Sequence, residues 1–328
     1  DREVLAAPGN DVQFLEDMPT AWDAWNIGLT GVRYPTTLRK VEVVEAGPVR
    51  SVVRVTRDYL KPGVKKDFPT EDFPSTFLTQ DVILTRGIDR VDFTTNIDWW
   101  EDKTMVKVAF PVAVRDTAAT FEIPYGSVRR STQWRDSWDS AKVEVPAERW
   151  ADLSQDDYGV SLLNRAKYGY DVKGNTMRLS LLRSPKWPDP TADRGKHTIE
   201  YALFPHAGRV EGALTVRRGY EYNNPLIALT GSRAGRKSLP PTLSFVGLAP
   251  SSLVLTSVKG AEDCRGWIVQ WYNAGAAETE AVLSLPRPAT SASLTNAVEE
   301  PGASVPVHGS EVRVKTRPRG MVTLRVNF

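Results

Sequence analysis

The sequence has little of the chemistry that small secreted or metal-dependent proteins rely on. It has one cysteine in 328 residues, Cys264, which excludes an internal disulfide framework. It has three histidines, none of them at metal-ligand spacing from another histidine or a cysteine, so we expect no metal site within the chain. An Asn-x-Ser/Thr glycosylation site is also absent. These absences predict a reducing, cytoplasmic location.

Several classes of partner and reaction are disfavoured in the same way. The chain has 42 basic and 40 acidic residues with no concentration of either sign, so it predicts neither a nucleic-acid nor a membrane partner. A run of about 18 apolar residues, which a spanning helix needs, does not occur. Neither a Gly-x-Ser-x-Gly nucleophile motif nor a phosphate-cradling glycine loop is found. The opening residues carry no methionine or apolar leader, and we expect the chain to be part of a longer protein.

What the sequence does contain is the alternation of β-strands from end to end. Apolar and polar residues alternate in Met177–Leu181, Val91–Thr95 and Val322–Val326. The run from Val106 to Val114 is apolar enough for a strand covered on both faces. Segments of 12 or more residues with helical periodicity are missing, and glycine and proline separate the runs. The sequence therefore predicts an all-β fold.

One stretch interrupts this pattern and predicts a boundary. Residues 231–241 are small, basic and proline residues without an apolar face, as in a linker or long surface loop. The chain is also longer than a single hydrophobic core usually supports. We predict a large β-sandwich over residues 1–232, a linker or loop over 233–241, and a small β-sandwich over 242–328.

Acidic and aromatic residues occur together in an irregular stretch near the N-terminus. Asp17, Trp22, Asp23 and Trp25 lie within it, and an indole face beside a carboxylate suits a sugar, which offers both C–H faces and hydroxyls. The alternative is that Trp22 and Trp25 anchor a loop to the core. The same two interpretations apply to a further group of tryptophans: Trp99, Trp100, Trp134, Trp138, Trp150 and Trp187.

Several longer motifs resemble the C-terminal region of family 38 α-mannosidases, in the expected order along the whole chain. They are Trp22–Trp25, Lys107–Pro111, Ser137–Asp139, Arg149–Ser154, Asp157–Asn164, Lys167–Asp171, Leu179–Pro185, Pro188–Pro190 and Tyr201–His206. The resemblance implies a large galactose-mutarotase-like β-supersandwich followed by a small C-terminal β-sandwich. Two positions depart from the family pattern: Arg165, where relatives carry aspartate, and Lys103, where histidine is expected.

The resemblance also implies a function for the whole protein and a limit for this part of it. Family members hydrolyse terminal α-mannosides with retention, using an aspartate nucleophile, a carboxylic acid and a zinc ion. All of these reside in an N-terminal barrel and the region just after it, neither of which is in this sequence. We therefore expect the chain to be non-catalytic alone and to hold no cofactor. Its expected partners are its own N-terminal catalytic domain and an α-mannoside, for which it completes the rim of the active site.

Arg183 is the first site residue that the resemblance implies, because an arginine at the matching place reaches the active site in relatives. Its guanidinium has five donors suited to sugar hydroxyls or to a catalytic carboxylate. The alternative is a surface arginine that braces the loop from Pro185 to Pro190. Asp23 and Asp17 follow as further substrate-binding candidates, with Trp22 as a stacking wall.

Two other functions stay open at this point. One is a free-standing carbohydrate-binding β-sandwich that uses its tryptophans. The other is a mutarotase-like epimerase, which needs a histidine and a carboxylate facing each other in a concave site. His197 and His206 are the candidates for that role, and the strand pattern between them allows both at one strand end.

Overall fold

The structure is a computed structural model that describes residues 2–59, 77–210, 214–231 and 240–328. The chain forms two compact units, one of Asp1–Ile123 and Ser127–Arg209, the other of Pro124–Gly126 and Val210–Phe328. The predicted linker, residues 233–241, lies outside the described residues apart from its last two positions. The domain limits drawn from the sequence stay a prediction.

The larger unit consists of strands with a single short helix in its described part. In chain order its elements are β1 (Asp11–Asp17), β2 (Leu29–Tyr34), β3 (Thr36–Ala46), β4 (Arg50–Tyr59), β5 (Phe77–Thr85), β6 (Val91–Trp99), β7 (Thr104–Pro111), β8 (Ala118–Ile123), β9 (Gly126–Ser131), α1 (Ser137–Ala141), β10 (Val145–Pro146), β11 (Trp150–Ser154), β12 (Tyr158–Asn164), β13 (Gly169–Lys173), β14 (Thr176–Leu182) and β15 (Gly195–Ala207). The strands form a six-stranded sheet, β10-β13-β14-β7-β1-β2, and a nine-stranded sheet, β3-β4-β5-β6-β15-β12-β11-β8-β9. The chain passes from the first sheet to the second at Pro35, between β2 and β3. Proline suits this place because it has no N–H for a ladder.

The two sheets share one apolar core. On β6 the odd-numbered residues from Phe93 to Trp99 are buried and the even-numbered ones are half-exposed, as the period-two pattern predicts. On β7 the residues from Thr104 to Phe110 are all buried, which confirms the prediction of a strand covered on both faces. Within its sheet β7 lies between β14 and β1. Both neighbours run antiparallel to β7, so their C-terminal ends lie at the same end of the sheet.

The smaller unit is a second sandwich with its own core. Its described elements are α2 (Leu214–Asn223), β16 (Gly247–Ala249), β17 (Leu253–Gly260), β18 (Trp267–Asn273), β19 (Thr279–Ser284), β20 (Ser291–Thr295), β21 (Pro301–Val305), β22 (Val307–His308), β23 (Glu311–Thr316) and β24 (Met321–Asn327). They give a four-stranded sheet, β16-β19-β23-β22, and a five-stranded sheet, β17-β18-β24-β20-β21. Trp271, Leu283 and Leu324 are fully buried between them. The all-β fold class, a large sandwich followed by a small one, is confirmed.

Helices are short in the described part of the chain. The first, α1, begins after Asp136, whose side chain accepts the N–H of Asp139 as an N-cap. The second, α2, is ten residues long and was not predicted from the sequence. Neither is long and apolar enough to cross a membrane.

Candidate functional site

Asp17 and Arg183 come together because their strands run side by side in the same direction. β1 and β14 both pair antiparallel with β7, which lies between them, so their C-terminal ends reach the same edge of the six-stranded sheet. Asp17 is the last residue of β1, and Arg183 follows the last residue of β14. Two strand spacings are about 10 Å, a gap that an arginine side chain can cross.

The two side chains form a buried ion pair. Nε of Arg183 donates to Oδ2 of Asp17 at 2.9 Å, and Asp17 is only 2% exposed. The two terminal nitrogens of the guanidinium donate to the backbone carbonyls of Ala24, at 3.0 Å, and of Asn26. Arg183 therefore holds the end of β1 and the loop after it at the same time. Its donors are used by the protein itself.

The loop of residues 18–28 closes onto this ion pair through a glycine. The N–H of Gly28 donates to Oδ1 of Asp17 at 2.6 Å, and its carbonyl accepts the N–H of Met18 at 2.8 Å. A Cβ at position 28 would lie 2.5 Å from the backbone nitrogen of Pro19, so a side chain does not fit there. The loop thus returns to its own starting point, and its tip carries Trp22 to Trp25.

The second loop, residues 183–194, is fixed from within by Asp193. Its carboxylate oxygen Oδ2 accepts the backbone N–H groups of Arg183 and Ser184, each at 2.9 Å. Ser184 is fully buried with φ of 56°, and its hydroxyl accepts the indole N–H of Trp99. This left-handed conformation of a non-glycine residue is maintained by the contacts around it.

Three tryptophans project from these two loops and contact one another. The ring centroids of Trp22 and Trp187 are 4.8 Å apart, those of Trp25 and Trp187 are 5.3 Å apart, and those of Trp22 and Trp25 are 6.1 Å apart. They are 59%, 47% and 65% exposed for Trp22, Trp187 and Trp25. We call Trp22, Trp25 and Trp187 the tryptophan cluster. Its rings are positioned by neighbours yet open to solvent.

Backbone hydrogen bonds fix the positions of the two loops that bear the tryptophan cluster. The N–H groups of Trp25 and Asn26 both donate to the carbonyl of Trp22 at 2.9 Å, and the N–H of Ala24 donates to the carbonyl of Trp187 at 3.2 Å. Asp23 joins the loops as well, because its Oδ2 accepts the N–H of Lys186 at 3.3 Å. The side chain of Asp23 is half-buried beside the cluster.

A charged group borders the second loop. Asp102 pairs with Lys186 at 2.8 Å and with Arg194 at 2.9 Å. Burial by itself would raise the pKa of Asp102, but the hydrogen bonds and charges of Lys186 and Arg194 outweigh it and hold that pKa below its ordinary value. Asp102 therefore stays ionised at neutral pH.

The arrangement suits binding at its surface more than bond cleavage. Three accessible indole faces can pack against the C–H face of a pyranose, and Asp23 offers an acceptor beside them. The other carboxylates of these loops are committed, Asp17 to Arg183 and Asp193 to two backbone amides.

All four substrate-binding candidates from the sequence thus lie at one sheet edge, although with different surroundings. Trp22 and Asp23 belong to the surface of the loop, whereas Asp17 and Arg183 lie beneath it. Trp22 and Trp25 are exposed, so they do not anchor the loop to the core. Arg183 braces the loop of residues 18–28; the Pro185–Pro190 loop is instead spanned by Nζ of Lys186, which donates to the carbonyl of Pro190 at 2.7 Å.

The other tryptophans divide in the same physical way. Trp99 and Trp150 are buried in the core, and Trp134 is half-buried. Trp100 and Trp138 are exposed but make no ring contact with the cluster. Core packing therefore explains some of these tryptophans and a surface explains others.

The two positions that depart from the family pattern have structural roles. Arg165 forms a half-exposed ion pair with Glu200 on β15. Lys103 has φ of 50°, donates its N–H to the carbonyl of Ser184 at 2.9 Å, and accepts the N–H of Asp17 at 3.0 Å. Its backbone therefore links the two loops across the start of β7.

The histidines do not assemble a metal centre. His197 and His206 lie at opposite ends of β15, nine residues and about 30 Å apart, so the prediction that they could meet at one strand end is wrong. Nε2 of His197 contacts the carbonyl of Asp193 at 2.7 Å, and Nε2 of His206 contacts Asp152 at 2.7 Å. Within the described ranges no group of three His, Cys, Asp or Glu side chains could hold a metal ion. The residues that the structure describes therefore do not fit a zinc site.

His206 does face a carboxylate, but inside the sheet. Asp152 is fully buried and accepts from His206 and, at 2.7 Å, from the hydroxyl of Ser161. A Cβ at Gly159 would lie 2.4 Å from the imidazole, so the absence of a side chain there makes room for His206. Both residues are buried, His206 at 7% exposed and Asp152 at 0%, so neither is accessible to a substrate as an epimerase site requires.

Comparison with known proteins settles the family. Residues 1–191 match the family described as "Glycosyl hydrolases family 38 C-terminal domain". The chain belongs to glycoside hydrolase family 38. Residues 252–324 of this family 38 chain match a second description, "Glycosyl hydrolases family 38 C-terminal beta sandwich domain".

Two curated relatives of the family 38 chain are named as α-mannosidases. Alpha-mannosidase 2C1 of Homo sapiens is 36% identical over 333 residues, which cover 99% of this chain and 29% of that protein. Alpha-mannosidase G of Dictyostelium discoideum is 32% identical and covers 99% of this chain and 30% of that protein. The chain therefore spans about three tenths of the length of these relatives.

A solved structure shows the same fold. An alpha-mannosidase from Enterococcus faecalis V583 aligns with a TM-score of 0.78 and 20% identity, covering 96% of this chain and 38% of that one. The shared architecture extends over both units of the chain.

Three positions of the site were not selected from the sequence. Trp187 was counted among the tryptophans but not assigned to the site, although it lies directly before the Pro188–Pro190 motif. Asp193 and Gly28 act on the backbone, through accepted N–H groups and a close approach. Only the tryptophan carried a sequence signal, namely its place between Pro185 and Pro188.

Proposed function

We propose that this chain is the non-catalytic C-terminal region of an α-mannosidase that hydrolyses terminal α-D-mannosides. In this proposal the tryptophan cluster and Asp23 complete the rim of the mannoside pocket, and the β units support the catalytic barrel. The observation that carries it is the arrangement of the cluster. Its aromatic rings are exposed, and the loop that bears two of them is held by the largely buried ion pair of Arg183 and Asp17.

The physical argument is one of preorganisation. A surface that stacks on a sugar must hold its rings before the ligand arrives, because ordering them on binding weakens affinity. Arg183 supplies that order by fixing both strand ends and the carbonyls of Ala24 and Asn26. A role for Arg183 as a positioning residue, acting through the loop, follows from these contacts.

A group of exposed apolar residues is consistent with a surface that another domain of the whole enzyme covers. Leu226, Ile227 and Leu229 follow α2 without secondary structure and are almost wholly exposed. Relatives extend well beyond the matched region, as their coverage shows. We propose that the catalytic barrel of the whole enzyme covers such surfaces.

The first test uses the chain alone with an aryl α-mannoside. We expect no release of the aryl alcohol, with or without added zinc, because glycoside hydrolysis needs a pair of positioned carboxylates, and Asp17 and Asp193, which accompany Asp23 in this site, are committed to structural contacts. Metal-dependent turnover by the pure chain would overturn the proposal.

The second test asks whether the cluster belongs to a mannoside pocket. The matching C-terminal region of the human relative is replaced by this chain, and kcat/KM is measured on an aryl α-mannoside. Removing a stacking ring with Trp22→Ala should lower kcat/KM about fivefold, since such contacts contribute around 1 kcal/mol. Trp138→Ala, which removes an exposed tryptophan of α1, is the matched control. Equal losses from both variants would contradict the assignment.

A free-standing carbohydrate-binding protein is the second candidate, favoured by the accessibility of the cluster in the isolated chain. It predicts saturable binding of methyl α-mannoside by the chain alone, with a Kd near or below about 1 mM, abolished by Trp22→Ala. The genomic reading frame distinguishes the two candidates directly. Barrel-coding sequence upstream of Asp1 supports the enzyme, and a start codon beside Asp1 supports the binding protein.

A cytoplasmic location is also part of the proposal. Its support is the thiol of Cys264, which is free and exposed, as a reducing compartment allows.

A further inference from the structure

A cleft at the opposite end of the larger unit contains an arginine without a carboxylate partner. It lies between the edge strand β9 of one sheet and β10 and β13 of the other, beside α1. Phe121, Arg130, Trp134, Lys142 and Asp171 line it. The site is separate from the tryptophan cluster and does not depend on the proposed function.

Arg130 differs from the other half-buried arginines of the unit. Arg149, Arg178 and Arg183 each have a carboxylate at 2.7 to 2.9 Å. Arg130 has instead one hydrogen bond, from Nη1 to the carbonyl of Pro146 at 3.1 Å, and its guanidinium lies 4.8 Å from the ring centroid of Phe121. Burial, with no acidic neighbour to oppose it, lowers the pKa of Arg130. An incompletely solvated cation with unused donors attracts an anion.

The acidic groups of the cleft do not neutralise Arg130. Asp171 is buried and shared by Lys107 and Arg178, each at 2.7 Å. Asp139 faces Lys142 at 3.6 Å. A second cation, Nζ of Lys173, lies over the ring of Trp134 at 4.5 Å. Among the described residues that line the cleft, Arg130 is therefore a cation that no carboxylate neutralises.

Its size and shape select among anions. The cleft is partly open to solvent and about 20 Å³ in volume, little more than a single water molecule requires, so it suits a small group. A planar guanidinium matches a planar carboxylate through two parallel N–H donors. We propose that this cleft binds the carboxylate group of a small organic anion, held by the remaining donors of Arg130.

The test compares acetate with its neutral isostere acetamide on the 328-residue chain. Saturation-transfer NMR follows the methyl signal of each at constant ionic strength in sodium chloride. We expect saturable binding of acetate with a Kd in the range of about 1–10 mM and at least tenfold weaker binding of acetamide. Equal binding of the two probes, or no saturable binding of acetate, would overturn the proposal.

Variants assign the binding to the cleft. Arg130→Met keeps an aliphatic stem over Phe121 and should weaken acetate binding at least tenfold, whereas Arg129→Met, its exposed neighbour, should leave it unchanged. Near-UV circular dichroism checks that Arg130→Met is folded, and Arg130→Lys, which retains the charge, should recover part of the binding. Unchanged binding in Arg130→Met would contradict the site. Inorganic phosphate displacing acetate at lower concentration would contradict the size argument and therefore the carboxylate class.

Discussion

The two units of the chain are both β-sandwiches, but they place charge differently. The larger unit buries Asp17, Lys107, Glu122, Asp152, Asp171 and His206. In the described part of the smaller unit the buried polar side chains are uncharged: Thr215, Asn273, Thr316 and Thr323. Ion pairs such as those of Arg313 with Glu280 and with Glu311 lie on its surface.

The difference teaches what buried charge does in this protein. A buried ion pair is weak evidence for stability, because desolvation offsets much of the attraction. In the larger unit such pairs join separate segments: Lys107 of β7 contacts Asp171 of β13 and Glu144 before β10, and Arg183 joins two loops. The buried charges therefore define which segments meet, whereas the smaller unit relies on its apolar core.

The largest expected effect comes from Lys107→Met in the larger unit. Lys107 is fully buried, so its loss leaves Asp171 and Glu144 facing each other with less compensation. We expect a loss of about 3–5 kcal/mol in the free energy of unfolding, measured by urea denaturation. Arg313→Met, at a surface pair of the smaller unit, should change it by less than about 1 kcal/mol. Similar effects of the two variants would remove the distinction between the units.

The smaller unit should respond most to loss of apolar volume. Leu283 is fully buried in its core, and Leu283→Ala should lower the free energy of unfolding by about 2–4 kcal/mol through the lost contacts and the cavity. Leu226 is fully exposed, so Leu226→Ala is the control, with an expected change within about 0.5 kcal/mol. A negligible effect of Leu283→Ala would show that the core packing is not what holds this unit.

Asp17→Asn tests the ion pair beneath the tryptophan cluster. Arg183 keeps part of its exposure, so the loss should be smaller than for Lys107, about 2–3 kcal/mol. The loop of residues 18–28 should also loosen, so that Trp22 and Trp25, already 59% and 65% exposed, become still more accessible to a soluble fluorescence quencher. Asp11→Asn breaks the more exposed pair with Arg33 and should change neither readout appreciably. Unaltered quenching in Asp17→Asn would argue against the positioning role of Arg183.

The smallest effect concerns pH. Burial alone would lower the pKa of His206, but its hydrogen bond to Asp152 and the charge of Asp152 outweigh it, so this pKa lies above its ordinary value of 6.5. The stabilising contribution is therefore fully present below 6.5 and is lost as the pH rises through the raised pKa.

Urea unfolding between pH 6 and 9 should show this decline in the free energy of unfolding, at no more than about 1.4 kcal/mol per pH unit. His206→Gln and Asp152→Asn should each flatten the profile. An identical slope in His206→Gln would mean that another group causes it.

Much of the fold could be predicted from the sequence because the alternation of apolar and polar residues that marks a strand is a local pattern. The alternation in Val91–Thr95 and Met177–Leu181 appears in β6 and β14, and the apolar run after Val106 became the fully covered β7. Helix α2 escaped prediction, since its ten residues include Gly219 and two β-branched residues near its start, Thr215 and Val216.

The candidate site could be predicted only in part. Asp17, Trp22 and Asp23 were found from their acidic and aromatic neighbours, and Arg183 from its motif. Their different degrees of burial, with Asp17 buried, Asp23 and Arg183 half-buried and Trp22 exposed, were not visible. Burial at this site depends on strands more than 150 residues apart in sequence.

The sequence by itself determined the class of fold, the family motifs and the residue types available for a sugar-facing surface. Periodicity and composition are local properties, and they need no partner to be read. Only the tertiary structure decided three features. Trp187 packs against Trp22 and Trp25, Arg183 forms its ion pair with Asp17, and Arg130 has no carboxylate partner among the described residues. The first two contacts depend on which strand ends lie side by side. Because β1 and β14 both pair antiparallel with β7, their C-terminal ends and the loops that follow them are neighbours.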